Sequence, residues 1–257
     1  MSNNLGRFVV FVGIFIGGSF FAAPSTPFKL ITVLYNETVR ARAGEYIACM
    51  ERNLNHSAID TIHVLYDTSK DDDTNRILNY LKSKNITIDY VEGRPTFGTL
   101  FELANQCYPN CRVIISNADI YFNKTLRALD EYDFTNKFLA LTRWDVINNR
   151  GSLQLFRPRN RHDRIIRTGV VQSQDTWIFS TPIQKFQNED MRLGTMGCDT
   201  FLAYQVQLSD MQLINPCLTI QCCHMHLSKH RNYNPKEKIQ VPRDYKSLSY
   251  STLNPFE

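Results

Sequence analysis

The sequence predicts an α/β fold in one domain, with a mainly parallel central sheet flanked by helices. Three observations predict it. Short apolar, β-branched runs alternate with amphipathic stretches between residues 29 and 116, the pattern of successive βαβ units. Such crossovers are right-handed and leave their strands parallel. The chain has 257 residues with 43% hydrophobic and 21% charged, which is ample for one α/β core and short for two.

The elements follow in order. Residues 29–35 (KLITVLY) read as a buried strand. Residues 38–54 place Tyr46, Ile47, Met50 and Leu54 at helical spacing. Residues 59–66 (IDTIHVLY) form a second strand, stopped by Asp67. Residues 72–84 open with acids, as a helix N-terminus prefers, and carry Ile77, Leu78 and Leu81 on one face. Residues 86–91 are a third strand, and Gly93 and Pro95 then break the chain. Residues 99–107 are helical in pattern, and residues 112–116 (RVIIS) are a fourth strand. The second half mixes types. Residues 138–142 and 176–179 read as strands, 200–206 as a helix, and 213–220 and 221–226 as closing strands. Residues 148–167 are polar and basic and read as a loop.

The first domain boundary comes from hydropathy. Arg7 precedes the apolar run 8–23 (FVVFVGIFIGGSFFAA). Sixteen residues fall short of the ~20 of a membrane span and suit the core of a signal peptide. Phe21 is too large for a cleavage site after Ala23, so a retained signal anchor is the alternative. The sequence thus divides into a signal peptide or anchor at 1–27, the folded domain at 28–230 and an extended polar tail at 231–257. The folded part lies outside the cytosol: the ER or Golgi lumen, or a secreted or membrane-anchored place in a bacterium. The apolar segment, if retained, attaches the protein to a membrane.

Composition narrows the function classes. A net charge of +4 is mild, and only residues 157–167 (RPRNRHDRIIR) cluster basic side chains. That run reads as a solvated loop or a greeting for an anionic ligand, not a nucleic-acid surface. Seven cysteines leave one unpaired, and Cys107 and Cys111 stand close enough to close a small loop.

Ligands of parallel sheets bind outside the carboxyl ends of the strands. Asn36, Glu37, Asp67, Arg94, Asn117 and Asp119 stand there. In ISNADIYFN (115–123), Asn117 and Asp119 are two apart, so an extended segment turns both to one face. A carboxylate there suits Mg²⁺ or Mn²⁺, hard ions that share oxygen ligands with substrate phosphates. The other reading is an Asx turn. GTMGCD (194–199) spaces two glycines ahead of Asp199, which opens a helix or simply caps it. In CCHMH (222–226), a strand puts Cys222, His224 and His226 on one face, and imidazoles are common metal ligands. A zinc site using Cys222 with both histidines competes.

The order of these pieces resembles the GT-A family of nucleotide-sugar glycosyltransferases. The stretches LTRWD (141–145), QDTWIF (174–179), GCD (197–199) and HMHLS (224–228) are similar to glycosyltransferase-like proteins of this layout, and the resemblance spans residues 28–228. It implies a GT-A-like (Rossmann-like) fold, a nucleotide-sugar donor, a glycan, lipid or protein acceptor, and Mn²⁺ or Mg²⁺. Asn117 and Asp119 correspond to the DXD motif, with Asn in place of its first acid. Asp119 would bind the metal, completed by His226 in preference to His224. Asp199 corresponds to the catalytic base, and a single base implies inversion. Asp175 is a second acid near the sugar. Asp67 would contact the nucleoside, Arg94 or the basic run would clamp the diphosphate, and Trp144 and Asp145 would hold sugar hydroxyls. Gly197 would let the backbone approach the donor. The alternatives are a catalytically silent GT-A-like binder, which Asn117 favours, a metal-dependent hydrolase, and a nucleotidyltransferase on the same sheet.

Overall fold

The computed structural model describes residues 26–72, 75–156, 170, 171, 173–228, 230, 237–240, 242 and 244–253. The N-terminal apolar segment and the whole basic run 157–167 lie outside the described residues. Among the described residues, no helix is long and apolar enough to cross a membrane.

The predicted alternation is present in the first half. β1 (Phe28–Tyr35) leads to α1 (Arg40–Leu54), β2 (Ile59–Asp67), α2 (Arg76–Lys82), β3 (Thr87–Val91), α3 (Phe97–Cys107) and β4 (Arg112–Ser116). β1 pairs in parallel with β2 and β4, and β2 with β3. β5 (Ile120–Phe122) then leaves this sheet, while β6 (Lys137–Leu141) returns to it. β7 (Trp144–Val146), β8 (Leu153–Leu155), β9 (Val170–Val171), β10 (Thr176–Ser180), α4 (Cys198–Gln207), β11 (Gln212–Ile214), β12 (Cys222–His224) and β13 (Leu248–Ser249) complete the order. The seven-stranded sheet runs β11-β6-β10-β4-β1-β2-β3. Only β10 is reversed, antiparallel to both β4 and β6.

Strand periodicity divides the core. Leu30, Leu34, Ile114 and Ile178 face α1 and α2, meeting Tyr46, Met50, Ile77 and Leu81. The intervening Ile31, Val113, Ile115 and Trp177 face α3 and α4, meeting Phe97, Leu100, Leu202 and Val206. Both faces are therefore covered, which is why apolar residues predominate in these strands. A second sheet, β5-β12-β7-β8, stands beside the first.

Several expectations change. Asn117 and Asp119 lie in a turn closed by the Ile120 N–H on the Asn117 carbonyl at 3.1 Å, not on an extended strand. Asx side chains favour such turns. The 213–220 strand shrinks to β11, because the chain turns at Pro216, whose carbonyl accepts from Thr219 and Ile220. The helix foreseen at 72–84 starts only at Arg76, after Asn75 with φ of 32°. β8 falls inside the stretch expected to be loop. All seven cysteines are thiols, so Cys107 and Cys111 close no loop here.

The described parts of the C-terminal segment dock on the domain. Ile239 N–H donates to the Met196 carbonyl at 2.9 Å, Tyr204 hydroxyl to Asp244 Oδ2 at 3.0 Å, and β13 pairs with β9.

Candidate active site

A polar cavity opens at the carboxyl ends of β1, β2 and β4, where the sheet logic places ligands. Its lining includes Asp67, Lys70 and Arg94 from the β2 and β3 side, and Asn117, Asp119, Arg143, Asp175, His224 and His226 from the β4 and β10 side. The second sheet explains the latter group. β5 starts one residue after Asp119, and β12 pairs with both β5 and β7, so His224 lies opposite Ile120 on one side and Asp145 on the other.

These side chains form a chain of alternating charge. Arg42 on α1 pairs with Glu45 at 2.8 Å and with Asp119 Oδ2. His224 bridges two carboxylates, Nε2 to Asp119 at 3.0 Å and Nδ1 to Asp145 at 2.7 Å. Arg143 joins Asp145 at 2.9 Å to Asp175 at 3.1 Å, and Asn117 donates its amide to Asp175 at 2.8 Å. Burial opposes charge on His224, Asp119 and Asp145, and their partners outweigh it. His224 is lifted to about 9, with Asp119 the main source. Asp119 is held well below the carboxylate range by His224 and Arg42, and Asp145 is lowered by His224 and Arg143.

Asp119, His224 and His226 each bring one ligand atom to within 4.8 Å of the others. Asp119 Oδ1 is buried without a hydrogen-bond partner. His226 Nε2 donates to the His230 carbonyl at 2.7 Å, which leaves its Nδ1 with a lone pair. Burial lowers the His226 pKa, which favours that neutral form. Asp145 would fix the His224 ring through Nδ1, the outer support that metal-binding imidazoles use. One carboxylate oxygen and two imidazoles are donors that a divalent ion uses, but Arg42 already shares the Asp119 carboxylate. Both histidines reach the cluster, although the resemblance preferred His226 to His224. Cys222 does not reach it; its thiol faces the Thr142 carbonyl at 3.4 Å, away from the histidines.

The remaining predicted residues separate. Asp67 lines the cavity with its Oδ1 accepting from Ser69 N, Ser69 Oγ and Gly93 N, so it also organises the turn. Arg94 lines it without a carboxylate partner among the described residues. Asp199 stands in the first turn of α4, outside the cavity lining, and accepts from Gln174 N–H at 3.1 Å, next to Asp175. Burial lifts its pKa to about 7. Gly197 does not line the cavity. Its φ is 86°, and an added Cβ would lie 2.8 Å from the Ile239 carbonyl, so the close approach it permits is to the C-terminal segment. Trp144 also stands outside the lining, its indole N–H on the Cys217 carbonyl at 2.8 Å.

Sequence reasoning missed Arg42, Lys70 and Arg143. Arg42 had a signal: with Glu45 and Tyr46 it puts charge on a helix face that the spacing assigned to the core. Arg143 stands inside the quoted LTRWD stretch, but its pairing with Asp145 and Asp175 is made only by folding.

No family model and no curated protein matches the chain. Among solved structures it is similar to GalNAc-T7 with UDP, GalNAc and Mn²⁺, with a TM-score of 0.50 and 9% identity over 86% of this chain and 46% of that one. It is also similar to the mannosyltransferase PcManGT from Pyrobaculum calidifontis in complex with GDP-Man and Mn²⁺, with a TM-score of 0.49 and 15% identity over 79% and 59%. A third likeness is to S. aureus TarS, with a TM-score of 0.43 and 17% identity over 80% and 60%. The chain thus spans about half to three-fifths of the length of these chains. At such identities the likeness shows the fold alone, and the fold is GT-A-like.

Proposed function

We propose that this protein is a glycosyltransferase that moves a sugar from a nucleotide-sugar donor to an acceptor hydroxyl with inversion. The observation that carries the reading is the cavity at the strand ends of a GT-A fold, where cations and a candidate metal triad face one another. Asp67 would meet the nucleoside. Arg94 would meet the diphosphate, a charge-assisted contact. Asp119, His224 and His226 would hold Mn²⁺ or Mg²⁺. Such an ion, when bound, stabilises the charge on a leaving diphosphate. Asp145 orients His224, and Asp175, held by Arg143 and Asn117, offers a fixed carboxylate to sugar hydroxyls.

Asp199 would take the proton of the acceptor hydroxyl. A carboxyl with a pKa of about 7 is a far stronger base than an ordinary carboxylate and is still half ionised at neutral pH. The acceptor would be a glycan, lipid or protein in the secretory pathway or outside a bacterial cell, with the apolar N-terminal segment as the means of export or attachment.

The test is release of nucleotide from a panel of UDP-, GDP- and CMP-sugars by the full chain with Mn²⁺, alongside Asp199→Asn. Release from one nucleotide class, lost in the variant, supports the reading. Binding of a nucleotide sugar without turnover would support the second reading, a silent GT-A binder, which Asn117 favours because its amide is committed to Asp175.

A further inference from the structure

The placement of Arg42 has a consequence for how a donor is held. Its Nη1 donates to Glu45 Oε2 at 2.8 Å and to the Met225 carbonyl at 2.9 Å, and its Nη2 donates to Asp119 Oδ2. The guanidinium lies 4.6 Å from the centre of the Tyr46 ring. With the side chain 7% exposed, the guanidinium has little room to move aside. A divalent ion on Asp119 must come within roughly 2 Å of a carboxylate oxygen. There it meets a fixed positive charge already paired with the same carboxylate, and like charges repel.

The rest of the cluster does little to offset this. Asp119 is the one carboxylate of the triad. Asn117 brings no charge, and its amide is turned to Asp175. The cavity instead carries permanent cations of its own. Arg42, Lys70, Arg94 and Arg143 line it against Asp67, Asp119 and Asp175. Among the described residues, Lys70 and Arg94 have no carboxylate partner, and Lys70 sits 4.3 Å over the Tyr35 ring. Guanidinium and ammonium groups bind phosphate oxygens through charge-assisted hydrogen bonds.

We propose that Arg42 is the resident counter-ion of Asp119 and that the cavity binds a nucleoside diphosphate without a divalent cation. This rests on the donor-site reading above and goes beyond it, because it assigns to the chain's own side chains the charge neutralisation that the fold family gives to a metal. A divalent ion that does join the site joins a diphosphate already held.

Calorimetric titration of the full chain with UDP, GDP and CMP, each in EDTA and in Mn²⁺, tests it. The expected result is one nucleotide bound in EDTA within about threefold of its affinity in Mn²⁺. Binding weakened more than about tenfold in EDTA overturns the proposal and leaves the donor site standing. Absence of binding in either buffer overturns both, so the two failures are distinguishable. Arg42→Met supplies the second arm. Its affinity in EDTA should fall at least about tenfold and recover in Mn²⁺, because the ion can then take the vacated place. Unchanged affinity of Arg42→Met in EDTA overturns the assignment. If that variant fails to fold, the wild-type comparison alone decides.

Discussion

The two sides of the cavity hold their charges differently. On the β4 and β10 side, Arg42, Asp119, His224, Asp145, Arg143 and Asp175 are paired in sequence, each to the next. On the β2 and β3 side, Asp67 is held by backbone and Ser69, while Lys70 and Arg94 face the cavity without carboxylate partners among the described residues. The difference teaches where rigidity has been placed. A buried chain of paired charges is fixed before a ligand arrives, so it can serve a transition state without reorganising. Uncommitted cations bind what comes but shape little. Breaking the first side should therefore cost folding and chemistry, and breaking the second only affinity.

The largest effect should come from Asp119→Ala. It takes one carboxylate from Arg42 and from His224, leaving them only Glu45 and Asp145, and removing one partner of a buried ion pair costs about 3–5 kcal/mol. Urea unfolding measures this. A loss under about 1 kcal/mol would mean that water reaches the network and that the two sides are alike.

Asp199→Asn should come next. Transfer should fall about a hundredfold or more, the usual worth of a positioned general base. The wild-type rate should rise with pH through about 7, as Asp199 loses its proton. Stability should move the other way. The folded carboxyl keeps its proton up to about 7, whereas the unfolded one releases it near 3.8. The folded state binds more protons in that window, so stability declines as pH climbs through it. Asp199→Asn should therefore be more stable than the wild type at pH 8, by roughly 4 kcal/mol, because the carboxyl moves from 3.8 to about 7 and each tenfold is worth about 1.4 kcal/mol. A flat rate profile between pH 6 and 8 would remove Asp199 from the mechanism.

Arg94→Ala should weaken nucleoside diphosphate binding about tenfold, with stability unchanged within about 0.5 kcal/mol. Titration calorimetry and a thermal melt separate the two effects. Lys70→Ala should be the mildest. Lys70 is exposed, so the loss should be about two- to threefold at low salt and should fade as salt screens it. A large melting-temperature change in either variant would contradict the contrast between the sides.

Much of the fold was legible because local periodicity and burial agree in the first half. RVIIS reads as a strand and is one, since β4 is covered on both faces, with Ile114 packed on one side and Val113 and Ile115 on the other. The second half resisted for the opposite reason. β5, β7 and β12 have three residues each, too few to show a period, and they are strands only because they pair with one another. The site follows the same division. Asp119, His224 and Asp199 stand out by residue type and by position after apolar runs. Gly197 stood out by type as well, yet its positive φ and contact with Ile239 come from the docked C-terminal segment.

The sequence by itself determined the alternation of strands and helices, the strand-end carboxylates and the late histidine pair. These are local properties, set by side-chain spacing along one element. Only the tertiary structure decided that His224 lies between Asp119 and Asp145, 105 and 79 residues away along the chain. It also decided that a helix arginine shares the Asp119 carboxylate and that Asp199 is buried enough to titrate near neutrality. Charge pairing and desolvation act through space between segments distant in the chain, and no spacing rule along one segment encodes them.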